Sequence, residues 1–74
     1  HPNPFETNFI LKSNKDLNNA ELTIYDAFGK EVLKINNINN ENIFVQRNNL
    51  ADGIYFFRLI EKNQVIAQGK VIAK

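Results

Sequence analysis

Turn-forming residues interrupt this chain so often that no apolar stretch between them is longer than a short strand. Asparagine supplies most of the interruptions, with thirteen copies at positions 3, 8, 14, 18, 19, 36, 37, 39, 40, 42, 48, 49 and 63. Asn bonds its own main chain and tolerates left-handed backbone, so its clusters mark the turns between strands. No segment of ten or more residues carries apolar side chains at the i, i+3, i+4, i+7 spacing of a helix. Short β-branched and aromatic segments, with turn signals every ~8–12 residues, describe an antiparallel sandwich. The expectation is an all-β fold of six or seven short strands.

The segments fall in a definite order. Phe5 to Leu11 opens the chain, with Pro2 and Pro4 confining that end to an extended edge. Lys12 to Asn19 is polar and loop-like. Ala20 to Tyr25 alternates cleanly and puts Ala20, Leu22 and Ile24 on one face. Asp26-Ala27-Phe28-Gly29 reads as a turn, and Lys30 to Ile35 returns as the partner of a hairpin. Asn36 to Asn42 is a loop broken by Ile38, and Ile43 to Arg47 is a strand with Ile43 and Val45 on one face. Asn48 to Gly53 is a second turn. Ile54 to Ile60 is apolar on both faces, which suits a strand buried in the middle of a sheet. Lys62-Asn63-Gln64 turns the chain, and Val65 to Ala73 closes it, with Gly69 a candidate hinge between two strand pieces.

Size and composition exclude several functions. Seventy-four residues make one domain, residues 1–74, and a chain so short buries only ~60% of the surface that its unfolded form exposes. Without cysteine there is neither a disulfide framework nor a thiolate metal site. The chain begins at His1 and lacks methionine, so it is expected to be a piece of a longer protein. No apolar run approaches ~18 residues and no signal-peptide pattern leads, so membrane insertion is not expected and any export signal belongs upstream. Nine basic residues are scattered among eight acidic ones for a net charge of +1, unlike the one-sided basic face of a nucleic-acid binder.

Catalytic chemistry finds no foothold either. The one histidine is His1 and the one serine is Ser13, so a hydroxyl nucleophile with its base is not expected. Asp26 and Asp52 both lie in turns and could share a calcium ion, but neither has repeated Asp-x-Asp spacing, and capping of each turn is the simpler role. A domain of this size has little room for a cleft between paired carboxylates, and no glycine loop is set up to cradle phosphate. No enzyme and no cofactor is expected.

Four local patterns occur in fixed order: Pro2-Asn3-Pro4-Phe5; Leu22-x-Ile24-Tyr25-Asp26-x-x-Gly29-Lys30; Leu50-Ala51-Asp52-Gly53-Ile54-Tyr55-Phe56-Phe57-Arg58; and Gly69-Lys70-Val71-Ile72-Ala73-Lys74. Each has a structural explanation. The prolines stiffen and protect an entering strand. Tyr25-Asp26 with Gly29-Lys30 makes a hairpin. In the third, Leu50 packs inward, Gly53 permits a bend, and Tyr55 bonds backwards as in a tyrosine corner. The last is a closing strand with a basic exit.

Taken together, the four patterns resemble the type A C-terminal sorting domain of the type IX (Por) secretion system, found at the ends of secreted Bacteroidetes proteins. The resemblance runs from Pro2 to Lys74, with His1 where the family usually has Tyr. It implies a small immunoglobulin-like sandwich of about seven strands. It also implies a sorting label for an upstream cargo, folded in the periplasm and bound by the outer-membrane translocon and its shuttle proteins. A cysteine-protease-type sortase at the cell surface then typically removes the label, and the cargo is released or anchored. Family members depend most on their last strand and the residues after it, which map onto Val65 to Lys74, and translocon recognition is expected there at Gly69, Lys70, Val71, Ile72, Ala73 and Lys74. Gly69 would let another backbone approach, and Lys70 and Lys74 would steer an acidic partner.

The rival reading is an immunoglobulin-like accessory or carbohydrate-binding module of a secreted hydrolase. It is the weaker of the two, because the chain lacks Trp and both Tyr25 and Tyr55 belong to packing motifs. Exposed edge strands leave weak self-association open.

Overall fold

Alternation sets the layout, and the computed structural model, which describes residues 8–47 and 49–74, follows it closely. Six strands are present among those residues: β1 (Asn8–Lys12), β2 (Ala20–Tyr25), β3 (Glu31–Ile38), β4 (Asn42–Gln46), β5 (Gly53–Glu61) and β6 (Gln64–Ala73). They form two antiparallel sheets, one of four strands in the order β3-β2-β5-β6 and one of two strands, β1-β4. The result is a small sandwich. Pro2, Asn3, Pro4 and Phe5, the opening of the first expected strand, and Asn48 lie outside the described residues.

The core forms where the inward positions of the two sheets meet. Ala20, Leu22 and Ile24 of β2 are buried, as are Ile43 and Val45 of β4. Tyr55 and Leu59 of β5 and Val71 and Ala73 of β6 complete the cluster, with Leu17 from the β1–β2 loop. Every one of these strand positions follows the period-two rule that makes a strand half-buried.

Three expectations need correction. The hairpin partner of β2 does not stop at Ile35, because β3 continues through Asn36 and Asn37 to the buried Ile38, which pairs with Ala20. One extra residue is absorbed between Ile35 and Ile38, where Asn37 takes a left-handed φ of 58°. Its tolerance of that conformation is used inside a strand bulge, not in a loop.

Next, β5 is an inner strand of its sheet, as expected, but only one of its faces is covered. Ile54 and Phe56 are 44% and 43% exposed on the other face. The second sheet packs on the inner face alone, so these outward side chains of the larger sheet keep much of their surface exposed.

Finally, β6 runs unbroken through Gly69. Its irregularity lies at Ile66, which is skipped between the pairs Leu59↔Ala67 and Ile60↔Val65. The β5–β6 turn is a two-residue one in which Lys62 and Asn63 both have positive φ, of 53° and 63°. Two left-handed residues are the geometry whose twist matches the flanking strands.

Candidate functional site

The six residues at the end of the chain divide by alternation. Val71 and Ala73 are buried in the core, while Lys70 and Lys74 are exposed and Ile72 is half-buried. Lys70 and Ile72 stand on the outer face of the sheet, opposite Phe56 and Ile54 respectively. Gly69 pairs with Phe57. A Cβ built on Gly69 would lie 2.8 Å from Cε2 and 3.0 Å from Cζ of the Phe57 ring, closer than carbon atoms pack. The room left by the missing side chain is therefore filled from within. Any outside chain must come to Gly69 along the strand edge, not over that face.

Arg47 holds the end of β6 in place. Its Nη1 donates to the carbonyl oxygen of Lys74 at 2.7 Å, and its Nε donates to the carbonyl of Leu50 at 2.9 Å. Nη2 pairs with the carboxylate of Asp52, so Asp52 restrains an arginine and does not cap its own turn. One fork of donors thus joins the β4–β5 connection to the final residue. In the same connection the Tyr55 hydroxyl donates to the Ala51 carbonyl at 2.6 Å, and Leu50 packs partly buried against the core. This is the backward bond and inward leucine that the third motif implied. Gly53 begins β5, and Ile54 points outward.

The second motif is a hairpin closed by a carboxylate. Asp26 Oδ1 accepts from the amides of Phe28 and Lys30, both at 2.9 Å, and the Gly29 amide donates to the Asp26 carbonyl at 3.0 Å. Gly29 has φ of 86°, the left-handed residue with which a tight turn of this type ends. Capping is what Asp26 does. Phe28, at the tip, is 95% exposed. Tyr25 lies on the outer face, with the guanidinium of Arg58 5.6 Å from its ring centroid.

At the other end of the sandwich a buried carboxylate fastens the β1–β2 loop. Glu61 accepts from Lys15 Nζ at 2.9 Å and from the amide of Asn18 at 2.7 Å. The Lys15 hydrogen bond, helped by the Asn18 amide, holds its carboxyl below the ordinary glutamate range against the opposing effect of burial. Among the described residues no group of three His, Asp or Glu side chains converges in a way that could hold a metal ion.

Arg47, Phe57 and Glu61 did not stand out in the sequence as functional or structural anchors. The signal was present. Extending Ile43, Val45 by one step reaches Arg47, and extending Tyr55, Phe57, Leu59 reaches Glu61, so alternation directs a charged group inward in each case.

Comparison with known families matches the chain to the family described as "Secretion system C-terminal sorting domain" over residues 1–74, its whole length. No curated protein and no solved structure matches it.

Proposed function

The chain belongs to the secretion system C-terminal sorting domain family, and on that premise we propose that it works as a label whose closing strand is read by the type IX machinery. The family is one of sorting signals for type IX secretion, not of enzymes, and such a signal implies dealings with that machinery and export across the outer membrane. The finer reading is that the domain folds in the periplasm and is bound by the outer-membrane translocon and shuttle proteins. At the surface a cysteine-protease-type sortase cuts it away, and the cargo is anchored or released.

The observation that carries the reading is the whole-chain family match, joined to a last strand whose residues alternate in role. Gly69, Val71 and Ala73 seat the strand in the sheet, and Lys70, Ile72 and Lys74 are the side chains a receptor can touch. Arg47 keeps the final residue in register with them.

Fusing the chain behind a fluorescent passenger and removing Val71 to Lys74 tests this in cells with a type IX system. Surface display of the intact fusion and retention of the truncated one are expected. Equal display of both would remove recognition from the closing residues.

A further inference from the structure

We propose that β4 is a self-pairing edge. Two copies of this chain join β4 to β4 antiparallel, about a two-fold axis at Phe44, and fuse their small sheets into one with the order β1-β4-β4-β1. This goes beyond the sorting reading and does not rest on it.

Edge strands ordinarily carry devices against such pairing, namely charged side chains, prolines and bulges. Three of the four edge strands among the described residues have them. β1 ends in Lys12, β3 carries Glu31 and Lys34 with two shifts of register along β2, and β6 carries Lys70 and the irregularity at Ile66. The sequence of β4, Asn-Ile-Phe-Val-Gln, has no charge and no proline, and its register with β1 is unbroken through five pairs. No described strand pairs with its other edge. Phe44 is 70% exposed on the outer face of this same strand. An edge that is flat, neutral and aromatic, beside a β3 edge that is bulged and charged, is one kept for pairing.

The pattern along β4 selects a second copy as the occupant. Its outward residues read Asn42, Phe44, Gln46, which is amide, aromatic, amide in either direction. Antiparallel pairing centred on Phe44 sets it against the partner's Phe44, and sets Asn42 against the partner's Gln46 twice over. Directly opposed aromatic side chains stabilise a sheet, and facing amides supply both donor and acceptor. Ile10, which pairs with Phe44 across β1 and is 49% exposed, lengthens the apolar row on each side. A slip of one residue would turn Ile43 and Val45 away from the core, so the register is fixed. A foreign strand could satisfy the backbone, but it would leave this symmetry unused.

The same contact closes a gap in each sandwich. Leu33, Ile35, Phe44 and Gln46 line an apolar slot between β3 and β4. Leu33 and Ile35 are only half-buried there. A strand laid along β4 covers the slot of both copies at once. Two strands of five residues make less than a standard interface of about 1,600 Å², so a dissociation constant on the order of 0.1 mM is expected.

Sedimentation equilibrium of the chain up to about 1 mM, a tenfold excess over that constant, measures the association. A reversible monomer–dimer equilibrium is expected, with concentration-dependent amide shifts confined to β4 and the slot. Phe44→Glu should weaken it about tenfold, because an aromatic pair becomes two like charges directly opposed. Two double variants test the register. Asn42→Glu with Gln46→Lys places opposite charges across the axis and should tighten the dimer about threefold, whereas Asn42→Glu with Gln46→Glu should loosen it by as much. All four substituted side chains point outward, and these pairs serve should Phe44→Glu unfold. A chain that stays monomeric throughout, shifts that centre elsewhere, or two double variants of equal affinity would overturn the proposal.

Discussion

Replacing Gly69 with alanine should destabilise this domain, although alanine ordinarily improves a strand. The backbone at Gly69 is outside the left-handed region, so any residue can adopt it. Steric room alone decides the outcome. The new methyl would meet the Phe57 ring at 2.8 Å, where carbon atoms prefer about 3.5–4.0 Å. The ring is partly buried against the core and must give way by most of an ångström. Overpacking of this kind costs roughly 1–3 kcal/mol, and relief of the glycine's strand penalty returns about 0.5–1 kcal/mol. A net loss of about 1 kcal/mol lowers Tm by about 4–8 °C for a domain of this size. Thermal unfolding followed by circular dichroism measures it. The decisive comparison is Gly69→Ala in a Phe57→Leu background, where the smaller side chain vacates the contact and the penalty should vanish. An equal loss in both backgrounds, or a gain in the native one, would refute the steric account.

Other expectations concern the anchors of the sandwich. Tyr55→Phe removes the bond to the Ala51 carbonyl and should cost roughly 0.5–1.5 kcal/mol, read as a shift in the urea midpoint with an unchanged slope. Because the carboxyl of Glu61 is held low in the folded chain, its stabilisation is complete above about 4.3, the ordinary glutamate value, and is lost as pH falls through the folded one. Tm of the native chain should therefore drop more steeply on acidification than that of Glu61→Gln, and parallel curves would show that the Lys15 and Asn18 contacts contribute nothing. Arg47→Met should let the end of β6 open roughly tenfold more often, seen as faster amide exchange at Val71 and Ala73 with the β2–β3 ladder unchanged.

Much of this architecture can be read from the order of residues. The inward sets Ala20, Leu22, Ile24 and Ile43, Val45 follow from alternation alone, and Asp26 with Gly29 is a hairpin by composition. What escaped depends on partners far away in the chain. The extension of β3 to Ile38 requires Ala20 across the sheet, and Asn36-Asn37 looks like any other turn until that pairing exists. Whether both faces of β5 are covered depends on whether a third layer packs outside the larger sheet, which no window around Phe56 reveals. Gly69 looked like a hinge because its explanation, the Phe57 ring, is twelve positions earlier. The terminal strand is likewise legible as a strand, but its tether through Arg47 joins residues 27 apart.

The pairing of β2 with β5 limits how the domain can come into being. Its partners run from Glu21↔Ile60 to Tyr25↔Phe56, so the middle of the larger sheet is closed by segments some forty residues apart at its widest. A chain delivered from its amino end first can make only two-stranded pairs, β2–β3 and β1–β4, until β5 arrives, and a two-stranded ribbon is marginal in water. The structure is then completed late and nearly at once. Trimming the tag to β5 and β6 would leave a ribbon with no second layer beneath Val71 and Ala73, so the smallest portable version is close to the entire unit.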